Sequence, residues 1–281
     1  MCQNPSFSKT VLITGASSGI GLAFAHEFAS HGYDTMLTGT NEERLERVKN
    51  DLEAMHFVCV TTKAMDLSRE RAAQRLHDWV QSQNIVVDVL VNNAGFGVFG
   101  KFSETDWSRE EQLIRLQVLN TTQLTKLFLP SMVARGHGGI LNVASTAAFQ
   151  PGPLMSVYFA CKAFMLSFTE ALAEELRGSG VVATALCPGP TDTGFQKMNG
   201  NEKAKLRSWG LLSTAESVAR VGYRSLIKGK TVVIPDASGF LLAQLVRLLP
   251  RNAVTRLIHK LEKLNRVEDV HGIGNQFRSS V

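Results

Sequence analysis

The segment SVYFACKAF sets Tyr158 and Lys162 four residues apart among small and apolar side chains. Residues i and i+4 share one face of a helix, so both polar ends can enter one cleft while Phe159, Ala160 and Cys161 turn aside. A phenol with a pKa of about 10 is a poor base at neutral pH, and lowering it by about 2 to 3 units takes roughly 3 to 4 kcal/mol of preference for the phenolate. A neighbouring ammonium supplies a field of that sign, so the pair reads as a proton-transfer device in which Lys162 lowers the pKa of Tyr158. Taken alone, the same spacing also fits an amphipathic helix whose polar ends reach solvent. Ser145 closes the apolar run GGILNVAS thirteen residues before Tyr158. Its hydroxyl can hold an oxygen on which negative charge develops, or simply end a strand. Asn120, inside the helical stretch QVLNTTQL, is an unfavourable choice unless its amide is hydrogen-bonded.

A second chemical signal is TGASSGIG, Thr14 to Gly21. Small residues let the backbone approach a pyrophosphate, and a helix opening there turns unpaired N–H groups toward its charge. The elements that must position these residues follow from the apolar rhythm. The runs KTVLIT, YDTMLTG, FVCVTT, VVDVLVNN, GGILNVAS and VVATALCPG alternate with helical segments at 19–32, 41–55, 68–84, 105–135 and 155–178. Strands apolar nearly throughout and separated by helices predict an α/β fold, a doubly wound parallel sheet covered on both faces, with ligands at the carboxyl ends of the strands. The polar segment 194–213 breaks the rhythm and is expected to act as a substrate lid. A helix over 214–228 and the strand TVVIP then resume the alternation. The chain divides into a dinucleotide-binding and catalytic domain, 1–239, and a helical extension with a tail, 240–281, whose residues after Val270 are expected to be mobile.

Thr14 to Gly21, NNAG at Asn92 to Gly95, then Ser145, Tyr158, Lys162 and PGPTDT from Pro188 to Thr193 occur in order over roughly Lys9 to Pro235. In these motifs the chain resembles the short-chain dehydrogenase/reductase family. The resemblance implies a Rossmann fold, a nicotinamide cofactor and hydride transfer between a ketone and a secondary alcohol. It implies Tyr158 as acid or base, Lys162 tuning it and binding the nicotinamide ribose, Ser145 orienting the carbonyl, and Asn120 completing a water-mediated relay to Lys162. Gly15, Ser17, Ser18, Gly19, Ile20, Gly21, Thr40, Asn93, Ala94, Gly95, Pro188, Gly189, Thr191 and Thr193 are expected along the cofactor. Asp66 is expected beside the adenine, as the cap of the following helix, or both. After the second strand stands Thr38-Gly39-Thr40-Asn41, without a carboxylate, and Asp34 lies at the wrong end. An acid there would hold a free ribose 2′-OH and repel a 2′-phosphate, so its absence favours NADP(H) over NAD(H), with Ser17, Ser18, Thr40, Asn41 and Arg44 as donors. A catalytically idle cofactor-binding module on the same fold is the alternative.

The four cysteines, without CxxC or CxxH neighbours, read as reduced thiols in a cytoplasmic protein, and no metal site is expected. The N-terminus has no basic region followed by an apolar one, and no apolar run is long enough to span a bilayer. Of the formal charge of +5, seven Lys/Arg against three Asp/Glu from Phe240 onward carry four units. The rest of the chain is nearly neutral, which argues against a nucleic-acid partner. Phe96, Phe149 and Met155, with Phe99, Leu154 and Val157, flank the motifs and predict an apolar pocket for a hydrophobic small molecule with an acyl-chain or ring carbonyl. Beyond Pro250, which should separate two helices, Val254, Leu257, Ile258, Leu261 and Leu264 fall on one stripe and Arg256, Lys260 and Lys263 elsewhere. The stripe is expected to pack on its own domain or on a second subunit of a homo-oligomer, with peripheral contact to an anionic membrane as the alternative.

Overall fold

The computed structural model describes residues 8–193 and 212–267. β1 (Thr10–Thr14), α1 (Gly19–Ser30), β2 (Asp34–Gly39), α2 (Glu42–His56) and β3 (Val60–Ala64) form the first half of the alternation. There follow α3 (Ala72–Ser82), β4 (Val89–Asn92), α4 (Trp107–Ile114), a π-helical turn (Arg115–Asn120) that runs into α5 (Thr121–Arg135), and β5 (Gly138–Val143). A 3₁₀ turn (Thr146–Phe149), α6 (Ser156–Glu175) and β6 (Val181–Leu186) complete the central part. After the short pair β7 (Thr191–Asp192) and β8 (Ser213–Thr214) come α7 (Ala215–Ile227), β9 (Val232–Val233), α8 (Ala237–Leu248) and α9 (Arg251–Val267).

The main sheet has the order β3-β2-β1-β4-β5-β6-β9 with every neighbour parallel. Its strands read as apolar throughout because each alternate side chain enters a different layer. Val11, Ile13 and Leu37 pack with Phe24 and Phe28 on one face, while Leu12, Met36, Leu90 and Ile140 pack with Leu76 and Phe128 on the other. Burying one such side chain stabilises the fold by about 1.5–3 kcal/mol, and Leu12→Ala would cost about 2–5 kcal/mol. Strand order reverses between β1 and β4, and at that reversal the crossover helices part to leave a crevice at the carboxyl ends. A polar ladder lies behind it: Asn92 Nδ2 donates to Asn142 Oδ1 at 2.9 Å, and Asn142 Nδ2 to Thr169 Oγ1 at 2.8 Å, tying β4, β5 and α6 together.

Helix boundaries follow local chemistry. Asn41 caps α2 by accepting from Arg44 N at 2.8 Å, and α5 ends at Gly136 in the left-handed region. The third helix starts at Ala72 and not at Ser68, because Arg71 is left-handed (φ 56°) and the preceding turn is organised by Asp66. The ends of the expected lid are joined by the pairings Thr191 with Ser213 and Asp192 with Thr214, while 194–211 lie outside the described residues, as does the tail after Val270. Pro250 does separate two helices, α8 and α9. The predicted stripe of α9 is divided: Val254 and Ile258 are buried against Met155 and Phe159 of the α6 region, whereas Leu257 and Leu261 are exposed. Among the described residues no helix is long and apolar enough to cross a membrane, and Cys161 and Cys187 are buried free thiols.

Candidate active site

β1 delivers the chain into its glycine turn at the crevice. Gly15 (φ 68°) and Gly19 (φ 57°) are left-handed, and a Cβ on Gly21 would stand 2.2 Å from Gly15 O. The turn therefore needs glycine at these places. Thr14 Oγ1 accepts from Asn93 N and Ala94 N, each at 3.0 Å, and Asn93 Nδ2 donates to Thr14 O at 2.9 Å and Gly15 O at 3.2 Å. Those bonds clamp the loop after β4 to the glycine turn. Exposed Ser18 precedes α1 without a side-chain cap, and no acid occupies the first turn, so the positive end of the helix is open to an anion. Thr193 approaches the Cβ position of Gly19 to 3.2 Å, bringing the segment after β6 over the same helix end. Ser17 and Ile20 are partly buried, and Ile20 packs on the core beneath. This cradle fits a dinucleotide diphosphate: small residues, an uncapped helix end and hydroxyls around one space.

Ser145 follows β5, and its Oγ accepts from Ala147 N at 3.1 Å and faces Pro188 O at 3.4 Å. Thr146 N also donates to Pro188 O at 2.9 Å, so the Pro188 turn, with Thr191 Oγ1 donating to Gly189 O at 3.0 Å, is held beside Ser145. From α6, the hydroxyl of Tyr158 hydrogen-bonds that of Ser145. One helical turn on, Lys162 is only 4% exposed, its Nζ donating to Val143 O at 2.8 Å and lying 5.7 Å from the centre of the Tyr158 ring. The predicted convergence of Ser145, Tyr158 and Lys162 is present. The sign of the tyrosine shift is not the one predicted. Burial pushes Tyr158 up to about 12, with the Ser145 hydrogen bond opposing, and burial pulls Lys162 down to about 8. Desolvation disfavours each charged form more than the charges of this chain favour it.

The family profile described as short chain dehydrogenase matches residues 9–204. The chain belongs to the short-chain dehydrogenase family. It is 31% identical over 202 residues to mouse 17-beta-hydroxysteroid dehydrogenase type 3, covering 71% of this chain and 66% of that one. A short-chain dehydrogenase from Sphingobium yanoikuyae in complex with NADPH superposes with a TM-score of 0.76 at 29% identity over 85% of this chain and 94% of that one. One from Burkholderia phymatum in complex with NAD gives 0.75 at 26% identity, covering 85% and 92%. The protein is thus a nicotinamide-dependent oxidoreductase acting on CH–OH and C=O groups.

Other residues singled out in the sequence lie around this dehydrogenase's site. Asn120 is buried, and its amide is engaged: Oδ1 accepts from Ala73 N at 3.0 Å, and Nδ2 donates to Arg115 O at 2.9 Å and to Leu67 O. The bonds to Ala73 and Leu67 tie the π-turn to the start of α3. Sequence reasoning missed Gln117, three residues earlier. It is fully buried, its Nε2 donates to Phe96 O at 2.7 Å, it comes within 3.3 Å of a Cβ built on Gly95, and its Oε1 has no partner. The signal available was a second polar residue in the same apolar stretch. Asp66 caps the turn before α3: Oδ1 accepts from Ser68 N and Oγ, and Oδ2 from Arg69. Burial alone would raise its pKa, but these hydrogen bonds outweigh it and lower it. Thr40 stands exposed after β2, and Asp34, at the strand's start, accepts from Cys59 N at 2.8 Å.

Around Tyr158 gather Ala147, Met155, Phe159 and Phe99, with Val246, Val254 and Ile258 from α8 and α9. Phe149 packs with Met165 and Ala148 on the adjoining side, and Phe96 carries the Arg109 guanidinium 4.5 Å above its ring. The sequence offered no sign that α9 would wall this region. Val157 lies elsewhere than expected. With Ser156, Ala160 and Cys161 it lines a groove of about 550 Å³ against Phe102, Ile114 and Val118.

Proposed function

We propose that the protein reduces an apolar ketone to a secondary alcohol, with NADP(H) preferred over NAD(H). The observation that carries this reading is the Ser145–Tyr158 hydrogen bond beside a buried Lys162 at the carboxyl end of β5. When bound, the nicotinamide supplies a hydride to the carbonyl carbon. Tyr158, a neutral phenol across the ordinary pH range, gives its proton to the carbonyl oxygen as charge develops there. Ser145 donates to the same oxygen and orients it, and the Lys162 ammonium stabilises the phenolate left behind. Gln117, which reaches the Gly95–Phe96 loop, takes a supporting amide role beside that loop. Met155, Phe149, Val254 and Ile258 support an apolar ring or acyl substrate, and the hydroxysteroid named for the mouse relative is of that class. The coenzyme preference is supported by the carboxylate-free end of β2, where Thr40 is exposed. Exposed Phe102, Trp107 and Leu119 near the α6 groove support a homo-oligomer.

The test is to screen ketones by nicotinamide absorbance with NADPH and NADH under the same conditions, then to compare Tyr158→Phe on the best substrate. That variant is expected to bind coenzyme and to lose about 100- to 10,000-fold in kcat. Near-full turnover by the folded variant would remove the assignment, and a strong preference for NADH would remove the coenzyme choice.

A further inference from the structure

α8 exposes an apolar face that no other described residue covers. Gly239 and Ala243 are buried toward the domain, while Leu241, Leu245 and Leu248, on the opposite side of the helix, are 59%, 46% and 81% exposed. At the turn into α9, Leu249 is also exposed, and Leu257 and Leu261 continue the outward apolar surface beside the stripe that Val254 and Ile258 bury. Bordering these leucines are Arg247, Arg251, Arg256, Lys260 and Lys263, all exposed. From Ala237 to Lys263 the only carboxylate is Glu262, and it is buried. An outward row of leucines rimmed by long cationic side chains satisfies both layers of a lipid interface, the acyl boundary and the phosphate plane.

We propose that α8 and α9 together seat the protein on the surface of an anionic lipid bilayer. The occupant is chosen by charge. A two-fold contact with a second copy through this face would set the same five cations against five others, with no exposed acid between Ala237 and Lys263 to offset them. An anionic headgroup layer pairs with each of them. With 12 and 17 residues and a break at Pro250, the two helices lie along the interface and do not span it. Because Val254 and Ile258 pack beside Tyr158, the element that meets the bilayer also walls the site. The docking itself does not depend on the proposed reaction.

Flotation of the full chain with vesicles tests this. Binding is expected to vesicles of phosphatidylcholine with phosphatidylglycerol, to be absent with phosphatidylcholine alone, and to weaken as salt screens the cations. Leu245→Asp and Leu248→Asp, at exposed positions that cost the fold little, should each weaken binding about tenfold or more with an unchanged circular dichroism spectrum. Phe57→Asp, an exposed aromatic at the end of α2, is the control and should bind as the wild type does. The proposal is overturned if the intact protein does not float with anionic vesicles, or if the leucine variants bind as well as wild type. It is overturned equally if those variants convert a solution dimer to a monomer, which would make this face a subunit contact.

Discussion

Replacing Lys162 with methionine should make the cofactor-free protein more stable and inactive. The ammonium is 4% exposed and has one oxygen acceptor, Val143 O at 2.8 Å, with Met165 Sδ at 3.7 Å. Burial lowers its pKa from 10.5 to about 8, so holding the charge at pH 7 opposes folding by about 3 kcal/mol. Lys162→Met removes that term but leaves Val143 O without its donor, a loss of about 1–2 kcal/mol, for a net gain of about 1–2 kcal/mol. The pH dependence separates this from ordinary repacking. Between pH 8 and 10.5 the unfolded chain holds a proton that the folded one has released, so wild-type stability rises through that window relative to the variant. The gap should close by about 1 kcal/mol between pH 7 and pH 9. Urea unfolding of both proteins at several pH values, followed by circular dichroism, reads it directly. A gap that stays constant with pH, or a variant several kcal/mol less stable at pH 7, would refute the reasoning.

The same shift sets an alkaline limit on coenzyme capture: kcat/KM for NADPH should be flat below pH 7.5 and fall as Lys162 loses its proton at about 8, well before Tyr158 titrates near 12. A break only above pH 10 would assign the limit to another group. Gly21→Ala should abolish coenzyme binding, read by nicotinamide fluorescence, because its Cβ would stand 2.2 Å from Gly15 O and force the turn open. Asn120→Ala should destabilise the fold by about 2–4 kcal/mol by orphaning buried groups at Leu67 and Ala73, while the folded fraction keeps kcat within a few-fold. Gln117→Leu should do the reverse, keeping the melting temperature within a few degrees and lowering kcat about tenfold or more. Equal kinetic losses in these two variants would mean that the π-turn acts as a unit.

Much of the fold was legible because its cause is local. Strands buried on both faces are apolar at most positions, as Val11, Leu12 and Ile13 are, and their few polar side chains, such as Asn92 and Asn142, are hydrogen-bonded to one another. The left-handed turn at Gly15 and Gly19 leaves little choice but glycine, and one helical turn between Tyr158 and Lys162 places both on one face. The start of α3 was misread because its periodicity begins before the backbone does: Asp66 gathers Ser68 and Arg69 into a turn, and Arg71 then has to leave the right-handed region.

What the sequence determined by itself was the set of groups and their local order: a phosphate-cradling turn, a serine at a strand end, a tyrosine and a lysine on one helix face, and a cationic C-terminal segment. The tertiary structure decided which way each long-range partner faces. Asn120 and Gln117 sit three residues apart on one π-turn, yet one is bonded to α3 and the other to the loop after β4. Val254 and Leu257 share a predicted stripe, but the docking of α9 against α6 buries the first and exposes the second. Even the sign of the Tyr158 shift was set by burial, which depends on every element packed around the ring and on no spacing within α6.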